Sequence, residues 1–401
     1  MNSNPARSSG CPAQLGRITM VHLGFFLAGA LTVLLGVILP LLAARWSLTD
    51  SEAGQFFVAQ FLGAVFGVAI SSFLLPRRGF RESFAASFLL MGLGSGSLLQ
   101  GSRGLALNAV FLYGIGLGYL SATTNLWTGE ANKSRSAAAL SYVNFAWTAG
   151  AVTCPLLITL DAVRSAPSTL LWGICALSGI LAASSLLLPL DEGLFPLALD
   201  ENSRIRNSQP PNAYTAILFG LAFFIYVGAE NALGGWLATF SNRMGLFHSS
   251  LWAVTPSLFW GGLMLGRAVV PGFFTRISEL HVVRGGLVVG IAGTIFILHA
   301  SSRNQIIAAI LATGFGLGIV FPVLMAWTIA RYGPEAREAA ARLLGLGILG
   351  GGALSWIVGL ISSRFGNLKE GLAVVVLGQC LTLALVSRLG NHRAAVKEIT
   401  A

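Results

Sequence analysis

Residues 114–128, GIGLGYLSATTNLWT, recur as residues 314–328, GFGLGIVFPVLMAWT. The two stretches share a Gly-x-Gly-Leu-Gly opening and a closing Trp-Thr pair, all at an offset of 200 residues. A second match, GALTVLLG from Gly29 against GAENALGG from Gly228, keeps an offset of 199. Apolar segments match easily by chance, so one such pair decides little. Two pairs with near-equal offsets imply one structural unit written twice.

The longest polar break lies between the copies, at 191–212, DEGLFPLALDENSRIRNSQPPN. Its charges, its Pro210-Pro211 pair and its Asn/Ser content mark a surface linker. It separates residues 18–190 from 213–389 and leaves short tails at 1–17 and 390–401. Hydrophobic residues make up 55% of the 401, charged residues 10%, and the mean hydropathy is +0.76. A soluble domain carries about 25% charged residues, so this chain lacks the charge to cover a water-facing surface. A stretch of about 20 apolar residues crosses the hydrocarbon core of a bilayer as a helix. Such stretches fall at 18–44, 53–75, 82–101, 104–129, 137–160, 167–190, 213–240, 250–275, 282–300, 304–330, 339–363 and 369–389. The expectation is an all-α membrane protein with twelve transmembrane helices in two pseudo-symmetric six-helix bundles. The 49 glycines suit helices that approach closely inside lipid.

The net charge of +10 is a matter of topology. The breaks after even-numbered spans, the span ends beside them and the two tails hold 17 Lys/Arg; the other side holds 7, and Arg267 lies within a span. This positive-inside asymmetry puts both termini in the cytoplasm of a multi-pass protein of the plasma (inner) membrane. No cluster resembles a nucleic-acid surface. The polar start, with Arg7 and Arg17, reads as a tail and not as a cleavable signal. Cys11, Cys154, Cys175 and Cys380 are scattered, and no His/Cys spacing fits a metal, so no metal or cofactor is expected. No phosphate-cradling Gly-Lys-Ser/Thr sequence is present, which argues against an ATP-driven pump or an enzyme.

The residues resemble the major facilitator superfamily across essentially the whole chain. Between spans 2 and 3, Ser72-Phe-Leu-Leu-Pro76-Arg77-Arg78-Gly79-Phe80-Arg81 is similar to the cytoplasmic Gly-x-Leu-Ala-Asp-Arg-x-Gly-Arg-Arg loop of that family. Ser72 replaces its first Gly and Pro76 its Asp. The resemblance implies a gating role for Arg77, Arg78, Gly79 and Arg81. It implies the same for Gly266, Arg267 and Arg276 in the related region of the second copy. A finer resemblance is to the fucose/glucose/galactose permease branch. It rests on Phe25–Gly29, on Gly116–Asn125, on Tyr226-Val-Gly-Ala-Glu230 with Gly235-Trp236, and on Gly316–Pro322. That branch implies sugar transport, often with protons, by rocking of the two bundles. Its symporters carry acids in spans 1 and 4. Here Ser121 stands at the span 4 position and span 1 holds no acid between Phe25 and Leu39, while Asn125 is kept.

An ionisable side chain inside a membrane is costly and marks a functional candidate. Glu230 lies about ten residues, roughly 15 Å, from the outer end of span 7. A carboxyl group held there is suited to proton exchange, or alternatively supports a bend at Gly234-Gly235. Arg267, about eight residues from the cytoplasmic end of the antiparallel span 8, overlaps it in depth, so an ion pair is one reading and gating another. Side-chain amides suit sugar hydroxyls, and Asn125, Asn144 and Asn231 are the candidates; aromatic faces suit sugar rings, and Trp147, Trp236, Trp260, Trp327 and Trp356 are the candidates. Helix packing and interfacial anchoring explain the same residue types. Glu52, after Thr49, fits a helix cap. Pro155 and Pro322 are placed to kink their spans.

The expected function is secondary transport of a small polar solute, a sugar or sugar-like compound, by a monomer in the lipid bilayer, with proton coupling through Glu230. Export of amphipathic compounds and a non-transporting sensor or scaffold stay open on the sequence alone.

Overall fold

Helices account for nearly all the described part of the chain, which in this computed structural model is residues 10–132, 135–160, 166–192, 194, 213–247, 251–273, 277–332 and 336–400. The first copy contains α1 (Gly10–Trp46), α2 (Asp50–Ser97), α3 (Arg103–Ala131), α4 (Ser136–Ile158) and α5 (Pro167–Leu187). The second contains α6 (Ala213–Met244), a 3₁₀ turn at Leu251–Val254, α7 (Thr255–Phe273), α8 (Glu279–His299), α9 (Arg303–Gly318), α10 (Val320–Tyr332), α11 (Ala336–Phe365) and α12 (Leu368–Thr400). In lipid every backbone N–H and C=O must be satisfied within the protein, which leaves helices as the solution for such apolar segments. Large side chains such as Phe73, Leu93, Ile180, Leu187, Ile217 and Leu377 stand exposed on the helix faces, as a lipid-facing surface requires.

Among the described residues, nine helices are long and apolar enough to cross a membrane, with α9 and α10 taken as one. The 48-residue α2 is too long for a single crossing of a hydrocarbon core of about 30 Å. Gly79 interrupts it, with φ 80° and ψ 179°, a backbone conformation that side chains rarely adopt. That interruption falls where the sequence places the loop between spans 2 and 3. α4 and α7 occupy the two remaining expected positions. α1 begins at Gly10, ahead of the apolar span.

The repeat is physical as well as textual. Ser102 caps α3 by accepting from the Leu105 N–H, and Ser302 caps α9 by accepting from the Gln305 N–H. In the first copy, a Cβ on Gly63 or Gly67 would run into the carbonyls of Phe111 and Ile115, and one on Gly118 into that of Ala64. In the second, Gly262 and Gly266 stand against the carbonyls of Leu311 and Phe315, and Gly318 against that of Leu263. Offsets of 199 and 200 carry each contact onto its counterpart. The α1–α4 crossing, where Gly29 meets Trp147 and Gly150 meets Phe26, returns as the α6–α11 crossing, where Gly228 meets Gly350 and Gly350 meets Phe224. Glycine at these positions lets the backbones touch, which is how helices gain contact without a hydrophobic driving force.

Two departures from symmetry matter. α3 runs unbroken, whereas its counterpart loses regular helix bonding at Ile319, between α9 and α10 and just before Pro322, although the Ile319 backbone keeps helical angles (φ −71°, ψ −30°). The chain also divides into two compact units that do not follow the copies throughout. One comprises residues 1–32, 62–153 and 162–199; the other comprises 33–61, 154–161 and 200–401. The change from one copy to the other thus falls inside the expected linker, but the end of α1 and the start of α2 pack within the second unit.

Candidate functional site

A polar cluster lies within the helices of the second unit. Tyr226 and Glu230 are one helical turn apart on α6 and so share a face. The Tyr226 hydroxyl donates to Glu230 Oε2, and its oxygen also lies 2.9 Å from the Leu317 carbonyl oxygen. From α7, Arg267 places Nη2 3.8 Å from Glu230 Oε1, an ion-pair distance longer than a hydrogen bond. The guanidinium lies 5.5 Å from the centroid of the Phe321 ring. Tyr226 and Glu230 are buried, and the Arg267 side chain keeps 27% exposure. Arg267 Nε is buried without a hydrogen-bond partner among the described residues. Removing one member of such a pair leaves an uncompensated charge, at a cost of about 3–5 kcal/mol. A carboxyl group between a phenol and a guanidinium can hold or release a proton with its neutral and ionised forms both supported.

Of the two readings open for Arg267, pairing with Glu230 and gating, the structure contains the ion pair. Tyr226 was quoted for the family pattern but given no chemistry; its i, i−4 spacing from Glu230 is the signal that would have found it.

The amide candidates each donate one hydrogen to the carbonyl four residues back. Asn125 Nδ2 bonds Ser121 O at 2.9 Å, Asn144 Nδ2 bonds Leu140 O at 2.8 Å, and Asn231 Nδ2 bonds Val227 O at 2.8 Å. Asn125 and Asn144 are exposed and Asn231 is half-buried. In each, the amide oxygen still has acceptor capacity.

The tryptophans separate into two groups. Trp236 is fully buried, its Nε1 donates to Ser355 O at 2.8 Å, and its ring lies 5.8 Å from that of Phe57. Trp260 is buried in edge contact with Phe259, and Trp327 is buried with Nε1 2.6 Å from Glu279 Oε2. All three rings are packed inside the structure, with Trp236 bonded to α11 and Trp327 to α8. Trp147 is half-buried and Trp356 is exposed.

At the bend of α2, Arg77 bonds its own helix at Phe73 O and lies over the Phe73 ring, while Arg78 faces Glu82 at 3.5 Å. Arg81 reaches further, to the Leu186 carbonyl. The acid that the loop lacks at Pro76 arrives from beyond α5. Asp191 accepts from the Phe80 and Arg81 amides and so caps the second part of α2. Gly79 is tight against it, since a Cβ there would lie 2.7 Å from Asp191 Oδ1. Arg17 Nη1 donates to Pro189 O and Trp127 Nε1 to Leu190 O, at 3.1 Å each, and they fasten the same segment. Gly266 lies at the α7–α9 crossing, and Arg276 lies outside the described residues.

A charged seam that the sequence does not reveal closes one end of the second unit. Arg243, at the end of α6, grips Asp50, at the start of α2, through Nη1 at 2.7 Å and Nη2 at 2.5 Å. Ser362 of α11 donates to the same carboxylate, and the Ser51 N–H donates to Ser363 Oγ at 2.7 Å. Thr49 and Glu52 form the expected reciprocal cap beside it. Below the charges, a Cβ on Gly36 would lie 2.6 Å from Gly235 O, and Gly54 stands against Trp356.

A family model described as Major Facilitator Superfamily matches residues 21–355. Two relatives named for glucose/galactose transport come from Helicobacter pylori and Brucella abortus. The first is 26% identical over 389 residues, covering 89% of this chain and 91% of the relative. The second is 23% identical over 378 residues, covering 87% and 88%. The crystal structure of a D-xylose-proton symporter is similar in fold, with a TM-score of 0.74 at 15% identity over 94% of this chain and 97% of that one.

Proposed function

The chain belongs to the major facilitator superfamily, and from that premise we propose that it moves a sugar or sugar-like solute by alternating access, with Glu230 exchanging a proton during the cycle. The observation that carries the reading is the Tyr226–Glu230–Arg267 cluster, a buried acid on α6 facing a partly exposed guanidinium from α7. Charged groups at that depth mark solute or proton pathways. The relatives named as glucose/galactose transporters support the solute class, and the structural neighbour named as a proton symporter supports the coupling ion.

On this reading the protein crosses the inner membrane twelve times as two bundles, 18–190 and 213–389, joined by 191–212, with both tails cytoplasmic, and it works as a monomer. Asn125, Asn144 and Asn231 offer amide oxygens to hydroxyl groups, and Trp147 and Trp356 offer ring faces. Trp236, Trp260 and Trp327 are left to packing. The Asp50–Arg243 seam lies on the outer side and holds the ends of spans 1 and 2 against spans 7 and 11. The Gly79–Asp191 turn lies on the cytoplasmic side.

Uptake of labelled glucose and galactose into proteoliposomes, with and without an inward proton gradient, tests the reading. The gradient is expected to drive accumulation in the wild-type protein, and Glu230→Gln is expected to equilibrate sugar without accumulating it. Sugar left untouched while lipophilic cations move would overturn the solute class. Accumulation by Glu230→Gln equal to wild type would remove Glu230 from coupling.

A further inference from the structure

We propose that Tyr226 is the positioning residue that senses the proton on Glu230 and passes its presence to the break in span 10 at Leu317; this rests on Glu230 being the coupling acid. The argument is a count of hydrogens. The Tyr226 hydroxyl carries one, and it faces two oxygens, Glu230 Oε2 and the Leu317 carbonyl. When Glu230 is ionised both neighbours are pure acceptors, so the one phenolic hydrogen can serve only one of them. The carboxylate wins, because charge-assisted hydrogen bonds are roughly twice as strong as neutral ones. When Glu230 is protonated, its own O–H donates to the Tyr226 oxygen, and the phenolic hydrogen turns to Leu317. Both contacts are then satisfied. The proton released from Glu230 passes to water at the exposed edge of Arg267, whose charge balances the carboxylate left behind.

The recipient of the signal is already weakened. α9 ends at Gly318, the Ile319 N–H turns back to Leu317 O, and Pro322 offers no N–H to the Gly318 carbonyl. One bond gained or lost at Leu317 therefore acts on a joint and not on a continuous ladder. The neighbours are few. Arg267 on α7 is the charged group that bears on Glu230, and Tyr226 is the titratable one. From α11 and α12, Gly350, Leu354 and Gly378 face this stretch of α6, and α10 adds the Phe321 ring.

Tyr226→Phe removes the hydrogen and keeps the ring. Amide exchange over Gly316–Val323, corrected for the intrinsic effect of pH, reads the joint directly. In the wild-type protein, protection is expected to differ roughly fivefold between acidic and alkaline buffer, the change of one net hydrogen bond. In Tyr226→Phe the difference is expected to vanish. 3-Fluorotyrosine at position 226 retains the shape with a more acidic hydroxyl, and it decides the matter if Tyr226→Phe does not fold. It is expected to move the pH midpoint of gradient-driven uptake by about half a unit or more. A joint whose protection follows pH equally in wild type and Tyr226→Phe would overturn the inference, as would an unmoved midpoint with fluorotyrosine. If Glu230→Gln keeps wild-type pH dependence, the coupling acid itself is wrong. If Glu230→Gln loses it and Tyr226→Phe keeps it, the relay alone is wrong.

Discussion

Asp50→Asn tests the charged seam most sharply. The substitution preserves shape and removes the charge that two Arg243 nitrogens and the Ser362 hydroxyl share. Hydrogen bonds to a charged group contribute about 1.5–3 kcal/mol when shielded, and exposed ion pairs about 0.2–1 kcal/mol. The side chain of Asp50 is 11% exposed and that of Arg243 45%, so the pair falls between those limits. After the discount for solvent on the Arg243 side, about 1–2 kcal/mol remains. That corresponds to about a 5- to 30-fold change in the ratio of closed to open seam. The seam is read by alkylation of an Ala53→Cys variant in a background without Cys11, Cys154, Cys175 and Cys380. Ala53 is buried in the first turns of α2, 1% exposed and beside the seam, so reagent reaches it when the packing around the start of α2 opens. Alkylation is expected to accelerate about 5- to 30-fold with Asp50→Asn. The charge-swapped pair, Asp50→Arg with Arg243→Asp, is expected to recover part of the protection. A rate unchanged by Asp50→Asn would refute the reasoning, because the seam would then be held by the glycine and aromatic contacts alone.

Further outcomes are set by local geometry. Asp191→Ala removes the cap on the Phe80 and Arg81 amides and is expected to cost about 0.5–2 kcal/mol, read as a lower melting temperature in detergent. Arg78→Ala, at an exposed i, i+4 pair, is expected to change it by less than about 0.5 kcal/mol. Gly118→Val and Gly318→Val drive side chains into the Ala64 and Leu263 carbonyls and are each expected to destabilise by about 1–3 kcal/mol or more. Gly129→Ala and Gly345→Ala, which meet nothing within 4 Å, are the neutral controls in the same melting assay.

How much was legible depended on whether a feature is local or relational. The duplication was legible from Gly114–Gly118 and Gly314–Gly318, because close helix contact restricts those positions to glycine in both copies. Their partners Gly63, Gly67, Gly262 and Gly266 carry the same signal but are spaced too sparsely to stand out in apolar sequence. Helix arithmetic gave Glu230 and Arg267 overlapping depths, since depth in a membrane reduces to residue count, but it left pairing and gating as alternative readings of Arg267. Which way a ring faces is set by tertiary packing, so Trp236 and Trp147 looked alike in sequence although one is enclosed and the other half-open. Asp50 and Arg243 were illegible for a further reason. Each is an ordinary span-end charge, and their union needs two helices 193 positions apart to arrive at the same end of the bundle.

The interruption at Ile319 has a consequence for how a duplicated machine divides its labour. Carried back by 199 or 200 residues, Tyr226, Glu230, Arg267 and Pro322 fall on Leu27, Leu31, Val68 and Ala122. The copied scaffold survives in both places, down to its caps and crossings, while the acid, the base, the phenol and the joint are found in one. Symmetry then governs motion and asymmetry governs energy. On the proposed reading the two copies keep equivalent bearings, while the proton would enter, do its work and leave through the second copy alone.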